Sequence, residues 1–137
     1  MNTLDKKQYS KEMILGMYEK MVRIRKFEVK LTEYFTKGML YGNIHTSIGQ
    51  EATAVGVCEA LEKTDFMTST HRGHGHTLAK GAKSDIMMAE LFARKTGYCG
   101  GKGGSMHVTD VSLGVLGSNG IVGAGIPIAT GSGLTSK

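Results

Sequence analysis

Residues 65–76 read DFMTSTHRGHGH, a short apolar stretch followed by a cluster of histidine, arginine and glycine. Asp65 to Ser69 predicts a short β-strand that is bounded by polar residues. The cluster at 70–76 begins where that strand ends, and ligands of open α/β folds bind at the carboxyl ends of strands. Arg72 offers a planar guanidinium that suits phosphate oxygens, and the glycines let the backbone approach a ligand closely. This stretch therefore predicts an anion site directly after a short strand.

The histidines of this stretch, His71, His74 and His76, raise the question of a metal site. Their spacing is not typical of one, and neither a cysteine nor a carboxylate lies within residues 70–76. We therefore predict no metal ligand here. Anion binding is favoured, and a purely structural polar loop is the alternative.

A long amphipathic helix is predicted before this strand. Ser10 is a candidate N-cap, and the helix is expected to end near Gly38. Its apolar residues recur every three or four positions, which predicts one face buried in a core or against a partner chain. The basic residues Arg23, Arg25 and Lys26 lie on another face, which we expect to be solvated. The members of the apolar stripe are Met13, Met17, Met21, Ile24, Phe27, Leu31 and Tyr34.

Capping signals predict further helices. Ser47 and Gln50 match a capping box, with Glu51 in the first turn, for a helix that runs to about Leu61. Ala52, Val55 and Leu61 are expected to share its buried side. The other predicted segments are a brief helical turn ending at Gly81, a helix capped by Ser84 that runs through Arg94 and is closed by Gly97, and a final helix near Ile126 with Pro127 in its first turn.

Glycine is concentrated late in the chain, where twelve of the 20 glycines lie between residues 97 and 133. Residues 98–125 are too long for a simple connection in a compact domain, so they are predicted to be a functional loop. Within them, GGKGGSMH at 100–107 is not a Walker sequence, because no Lys-Ser or Lys-Thr follows the required spacing. Lys102 is either an anion contact or an exposed lysine, and His107 either a proton carrier or a structural residue.

A second glycine-rich motif, SNGIVGAGIP at 118–127, leads into the final predicted helix. Its glycines flank Ile121 and Val122. Such a turn can expose backbone N–H and C=O groups to a flat heterocycle while these two side chains pack against it.

Composition excludes several classes of protein. The formal net charge is +5, but the basic residues form no long run alternating with aromatic residues, so nucleic-acid binding is not predicted. No stretch approaches the ~20 apolar residues that span a bilayer, and the polar N-terminus lacks the apolar segment of a signal peptide. We therefore expect a cytoplasmic protein without membrane contact, with a tail at 1–9 and one domain at 10–137.

Four motifs occur in the order found in one family. His45, by itself either a packing histidine or a polar group at the mouth of a site, opens the series. The motifs are His45 with Gly49-Gln50-Glu51-Ala52, Thr70-His71-Arg72-Gly73-His74-Gly75, Gly101-Lys102-Gly103-Gly104-Ser105-Met106-His107 and Asn119-Gly120-Ile121-Val122-Gly123. On these motifs, from about Ser10 onward, the sequence resembles the alpha subunit of the thiamine-diphosphate-dependent dehydrogenases that act on 2-oxo acids or acetoin.

This resemblance implies a doubly wound α/β fold and a heterotetramer of two alpha and two beta subunits, with thiamine diphosphate and Mg²⁺ bound between alpha and beta. It implies that Arg72 grips the diphosphate, with His71 beside it, and that Gly120 and Val122 present backbone groups to the aminopyrimidine. It places His45, as a catalytic residue, near the reacting carbonyl or the incoming lipoyl group. The small-molecule substrate undergoes C–C cleavage with the cofactor as electron sink, and the acetyl group passes to lipoamide on an acyltransferase.

Two departures from the family pattern refine these expectations. His71 stands where pyruvate-type members commonly have tyrosine, so the motif is closer to the acetoin branch, with pyruvate or another 2-oxo acid as the alternative substrate. The family's Gly-Asp-Gly magnesium motif is absent, so the magnesium ligands are expected downstream and these residues alone are expected to be an incomplete, inactive subunit. A non-catalytic assembly module and a phosphate-binding domain unrelated to thiamine are the competing classes.

Overall fold

A computed structural model describes residues 9–137 of the chain. The predicted tail at 1–9 lies outside the described residues, apart from Tyr9. The elements, in chain order, are α1 (Lys11–Thr36), α2 (Glu51–Ala60), β1 (Met67–Thr70), α3 (Gly73–Lys80), α4 (Ser84–Leu91), a 3₁₀ helix (Val111–Leu113), β2 (Val115–Asn119) and α5 (Gly125–Thr135).

The long helix α1 has the predicted start and end. The Ser10 hydroxyl oxygen accepts a hydrogen bond from the Met13 N–H at 3.1 Å, as an N-cap does. At the other end, Gly38 takes a left-handed conformation with φ 67°. The Gly38 N–H donates to the Phe35 carbonyl and the Met39 N–H to the Tyr34 carbonyl, which is a Schellman motif.

The apolar stripe of α1 forms one side of the core, as predicted. Ile24, Phe27 and Leu31 are buried, whereas its N-terminal methionines are only partly covered. Burying side chains of this size contributes about 1.5–3 kcal/mol each, so this short stretch anchors the helical layer. The stripe packs with buried residues from the other helices and the later loop, namely Ala54, Val55, Leu78, Ala79, Met87, Leu91 and Val108.

The sheet of the described chain has two parallel strands. β1 begins and ends slightly later than the predicted strand, and it pairs with β2, which had been assigned to the glycine-rich loop. Strand β2 is not predicted from the sequence, because it contains Gly117, Ser118 and Asn119, and glycine and asparagine are depleted in strands. The register pairs Thr70 with Asn119, so both strands end at the same edge. The predicted α/β class is confirmed in this coarse form.

Helix α3 replaces most of the loop predicted after β1. Glycine and histidine have low helix propensity, so tertiary packing stabilises this helix. A Cβ on Gly73 would overlap the Ser118 hydroxyl oxygen, and a Cβ on Gly75 would lie 2.6 Å from the Ser47 hydroxyl oxygen. The two glycines therefore let α3 approach β2 and the segment before α2. The predicted end at Gly81 is correct.

Helix α4 differs from the prediction at both ends. Lys83 is the N-cap residue, and Ser84 is the first helical residue, without a capping hydrogen bond from its side chain. The helix ends at Leu91 because Ala93 adopts a left-handed conformation with φ 53°. The Ala93 N–H donates to the Glu90 carbonyl and the next N–H to the Ala89 carbonyl, which closes a Schellman motif.

The capping box predicted for α2 is wrong. Gln50 is the N-cap residue and makes no side-chain cap, while the Ser47 hydroxyl donates to Glu28. The Glu51 carboxylate instead accepts a backbone N–H that precedes the helix, that of Gly49, at 3.1 Å. The predicted buried side is also only partly correct: Val55 is buried with Ala54, whereas Ala52 is exposed and Leu61 half-buried.

The last helix, α5, begins one residue before the predicted Ile126 and has Pro127 in its first turn. It packs on β1 and has no buried residue within the described chain. Ile126 and Leu134 are 73% and 74% exposed. None of the helices in residues 9–137 is both long enough and apolar enough to cross a membrane.

Candidate functional site

The first group at the site consists of His45, His71 and Arg72, brought together at the end of β1. The two imidazole rings meet edge to face with their centroids 5.4 Å apart. Arg72 donates from Nη1 to the Thr46 carbonyl, next to His45 in the chain. Three of the predicted site residues are therefore neighbours, although the loop carrying His45 and the end of β1 are far apart in sequence.

A buried hydrogen-bond chain lies directly behind this group. Glu28 and His74 are fully buried, and His74 Nδ1 lies 3.1 Å from Glu28 Oε1. The Ser47 hydroxyl also donates to Glu28, at 2.8 Å. On the other side, His74 Nε2 lies 3.0 Å from the Ser105 hydroxyl oxygen, which accepts the His45 N–H at 3.2 Å.

The three clustered histidines do not face a common centre. His71 contacts His45, His74 lies between Glu28 and Ser105, and His76 pairs through Nδ1 with the Ser69 hydroxyl at 2.8 Å. Burial lowers the pKa of His76 below its ordinary value. Within residues 9–137, no three His, Cys, Asp or Glu side chains are grouped closely enough to hold a metal ion.

The glycine-rich segment at 97–104, called the first glycine loop below, is organised by a carboxylate of the chain itself. Glu90 is fully buried. Its Oε2 accepts the N–H groups of Cys99 and Gly101 at 2.7 and 2.8 Å, and its Oε1 accepts those of Gly103 and Gly104 at 2.7 and 3.1 Å. Such converging N–H groups form an anion-binding nest, and here the anion is internal.

The hydrogen bonds to Glu90 hold this loop in one conformation, which positions the residues that follow it. Ser105, directly after Gly104, is only 6% exposed, because it is tied to His74 and His45. Lys102 and His107 are exposed, and the structure leaves the two interpretations of each open. A Cβ on Gly120 would lie 3.7 Å from the His107 ring, so the residues that follow the first glycine loop lie beside the second glycine-rich segment.

The segment at 119–125, called the second glycine loop below, follows β2. The Asn119 side-chain oxygen accepts the Ile121 N–H at 2.8 Å and shapes the turn. Ile121 and Val122 are 72% and 77% exposed, so the packing predicted for them has no partner within the described chain. A groove of about 530 Å³ runs between this loop, the end of β1 and the start of α5. Its lining includes Thr68, Ser69, Thr70, Ile121, Gly123, Ile126 and Thr130.

The basic face of α1 is exposed, as predicted, and two of its arginines also tie helices together. Arg23 Nη2 donates to the Leu78 carbonyl at 2.8 Å. Arg25 forms a bidentate pair with Glu51, with Nε to Oε1 at 2.5 Å and Nη2 to Oε2 at 3.0 Å. The hydrogen bonds from Arg25 hold the pKa of Glu51 at about 2, well below its ordinary value. These contacts fix the turn that leads from His45 into α2.

Glu28, His74, Ser105 and Glu90 were not identified as functional from the sequence. A signal exists for both glutamates, since each interrupts an apolar helix face. Glu28 lies between Ile24 and Leu31 of the predicted stripe, and Glu90 follows buried Met87 by three positions. A charged residue on a buried face requires partners, which makes it a candidate for a built polar network.

Comparison with known proteins identifies the family of the chain. The sequence is 56% identical over 128 residues to the alpha subunit of acetoin:2,6-dichlorophenolindophenol oxidoreductase of Bacillus subtilis, and 47% identical over 127 residues to that of Cupriavidus necator. It is 41% identical over 128 residues to the chloroplastic pyruvate dehydrogenase E1 component subunit alpha-3 of Arabidopsis thaliana. These alignments cover 93% of the chain, but only 38%, 38% and 30% of the relatives. Residues 19–137 match the family described as "Dehydrogenase E1 component", and the chain belongs to that family.

Proposed function

We propose that the protein is the alpha subunit of a thiamine-diphosphate-dependent dehydrogenase that cleaves acetoin and passes the acetyl group to lipoamide on an acyltransferase. The observation that carries the proposal is the convergence of four separate sequence motifs at one edge of the sheet. Thr70 pairs with Asn119 there, His71 contacts His45, and Ser105 bonds to the His45 N–H. Pyruvate or another 2-oxo acid is the alternative substrate.

The residues at this edge fit a cofactor with a diphosphate and a flat heterocycle. Nδ1 of both His45 and His71 is buried without a hydrogen-bond partner among residues 9–137. Buried polar atoms in native proteins normally have partners, so these two nitrogens point to a ligand. Ile121 and Gly123 line the groove, and the turn between them and half-buried Gly120 can offer N–H and C=O groups to a ring. When bound, thiamine diphosphate supplies an electron sink for C–C cleavage next to an oxygen-bearing carbon.

Each residue then has a distinct task. Arg72 binds the diphosphate through the guanidinium donors that it does not use on Thr46, and His71 lies beside it. The backbone of Gly120 and Val122 orients the aminopyrimidine. His45 holds or transfers a proton at the substrate oxygen, since imidazole carries both a donor and an acceptor nitrogen. The exposed side chains of Ile121 and Val122 exclude water once a ligand covers them.

The doubly wound fold and the partners belong to the same proposal. Parallel sheets are normally covered on both faces, and the two strands with the exposed α5 form only part of such a sheet. We expect further strands and the beta subunit to complete it, in a cytoplasmic heterotetramer. The residues described here do not fit a magnesium site, so no step is assigned to that ion.

The substrate is tested by expressing the full-length subunit together with its beta subunit. Acetoin and pyruvate are compared as kcat/KM with 2,6-dichlorophenolindophenol as the electron acceptor. We expect acetoin to be preferred. A tenfold preference for pyruvate, about 1.4 kcal/mol in transition-state free energy, would assign the alternative substrate. An assembled complex that binds no thiamine diphosphate would identify the chain as an assembly module.

The cofactor site is tested by Arg72→Ala in the same complex, with thiamine diphosphate titrated by calorimetry. Losing a charge-assisted contact to phosphate weakens binding by about 2–4 kcal/mol. Arg94→Ala is the matched control, because Arg94 is exposed and lies outside the site. Equal affinities for the wild type and Arg72→Ala would remove Arg72 from the diphosphate site.

A further inference from the structure

We infer that His74 and Ser105 are positioning residues, which fix the backbone of His45 through a hydrogen-bond chain that begins at the buried Glu28. This inference rests on the proposed function, because it concerns how His45 is held at that site. The chain runs from the His45 N–H to the Ser105 hydroxyl, then to His74 Nε2, and from His74 Nδ1 to Glu28.

Counting donors and acceptors gives this chain a single direction. Glu28 receives the Ser47 hydroxyl and the Ser47 N–H, so its carboxylate is the acceptor at the inner end. A neutral His74 therefore donates from Nδ1 to Glu28, which leaves Nε2 to accept the Ser105 hydroxyl. The Ser105 oxygen can then accept the His45 N–H, and every polar group in the chain is satisfied.

The order Ser–His–Glu is also that of a hydrolytic triad, but burial excludes that activity. His74 and Glu28 are 0% exposed and Ser105 is 6% exposed, so no substrate carbonyl can reach the serine oxygen. That oxygen also accepts the His45 N–H rather than facing a pocket. A nucleophile needs an accessible oxygen beside its general base. The chain therefore acts through His45.

The hydrogen bond between the His45 N–H and the Ser105 hydroxyl can position the His45 imidazole because of where it lies. His45 lies in the segment between α1 and α2, whose other described links are the Arg72 bond to the Thr46 carbonyl and the Ser47 bonds to Glu28. Ser105 reaches His45 itself, from the end of the first glycine loop. Its hydroxyl thus sets where the imidazole of His45 stands against His71. Misplacing a catalytic group by about 1 Å can cost about 100-fold in rate.

The test uses a double-mutant cycle in the full-length subunit assembled with its beta subunit. Ser105→Ala removes the acceptor of the His45 N–H, and we expect kcat to fall roughly 10- to 100-fold while the thiamine diphosphate affinity changes little. In the His45→Ala background, Ser105→Ala should add no further loss, because the imidazole it positions is gone. Ser105→Thr, which keeps the hydroxyl, should restore most of kcat.

A second measurement tests the hydrogen bond between the His45 N–H and Ser105 without measuring activity. Hydrogen exchange at the His45 amide should accelerate in Ser105→Ala, since that amide loses its acceptor. Thr77→Val is the control, because Thr77 is buried on the same helix as His74 and its hydroxyl has no partner within residues 9–137. Unchanged exchange, or an equal loss of kcat with and without His45, would overturn the inference. If neither substrate is turned over, the proposed function fails, and the exchange result still decides the positioning.

Discussion

The two glycine loops differ in what they surround. In the first glycine loop, four backbone N–H groups converge on the fully buried carboxylate of Glu90. In the second glycine loop, the backbone surrounds no side-chain anion from residues 9–137, and Ile121 and Val122 are 72% and 77% exposed. Glycine lets backbone approach a partner closely. The first loop thus closes on the protein itself, and we propose that the partner of the second loop is a ligand or another chain.

The largest effect expected from this comparison is at Glu90. Glu90→Gln leaves one amide oxygen for four N–H groups and turns an NH₂ group toward two of them. Losing two charge-assisted hydrogen bonds costs about 3–5 kcal/mol of unfolding free energy. Urea denaturation of the full-length subunit measures the loss. Glu19→Gln, at an exposed glutamate of α1, is the control and should change stability by less than about 0.5 kcal/mol. A similar small change at Glu90 would mean that the nest does not hold the loop.

Two alanine substitutions compare the loops directly. Gly101 and Gly123 both have positive φ, 77° and 89°, so alanine costs roughly 1–2 kcal/mol of backbone strain at either. A Cβ on Gly101 also overlaps the Ala93 backbone, whereas a Cβ on Gly123 meets nothing within 4 Å. Gly101→Ala should therefore be more destabilising by about 1–3 kcal/mol, the usual cost of overpacking. Equal losses in urea midpoint would show that the first loop can move away from Ala93.

Low pH should weaken the part of the chain before residue 111 more than the part after it, and the expected effect on stability is smaller than those above. Asp110 is the last acidic residue, so residues 111–137 contain no carboxylate side chain to protonate. The pKa of Glu51 is lowered to about 2 in the folded protein, from an ordinary value of 4.5. Its contribution to stability is thus present above about pH 4.5 and is lost as the pH falls toward 2. The wild type should lose its advantage over Glu51→Gln across that window, as measured by urea midpoints. A constant difference would mean that the Arg25 pair does not stabilise the fold.

Sequence patterns predict the local features of this fold well. The Ser10 cap, the stripe through Ile24 and Leu31, and the end of α1 at Gly38 follow from periodicity and capping, which involve neighbours in the chain. The candidate site motifs were singled out because their glycines let the backbone approach a ligand closely. The resemblance of those motifs to one family gave the site roles, and these remain predictions.

The missed features depend on contacts between distant residues. Helix α3 looked like a loop, since nothing local shows that Gly75 packs against Ser47. The position of Glu90 on an apolar helix face is visible in the sequence, but its partners are not, because the N–H groups that satisfy it lie 9 to 14 positions away in a loop. The pairing of His74 with Glu28 joins residues 46 positions apart. Such contacts appear only once the chain has folded.

The smallest effect on stability, and the sharpest test of the comparison, is expected at Gly120. Its φ lies outside the left-handed region, and a Cβ there would make ordinary contacts, 3.6 Å from the Met106 sulfur and 3.7 Å from the His107 ring. Gly120→Ala should therefore change the free energy of unfolding by less than about 1 kcal/mol. Gly16→Ala, in the interior of α1 where a Cβ meets nothing within 4 Å, is the control and should stabilise slightly.

The affinity for thiamine diphosphate shows whether Gly120 is needed for ligand binding or has no role in it. If Gly120 lets a heterocycle approach the backbone, the methyl group of Gly120→Ala stands between them, and the affinity for thiamine diphosphate should fall at least about tenfold, or roughly 1.4 kcal/mol. Calorimetric titration of the assembled complex measures this, with Gly16→Ala titrated in parallel. A protein with unchanged stability and weakened binding has a glycine that serves its ligand. Unchanged affinity would instead place the ring away from the second glycine loop, and the contrast with the first loop would then concern stability alone.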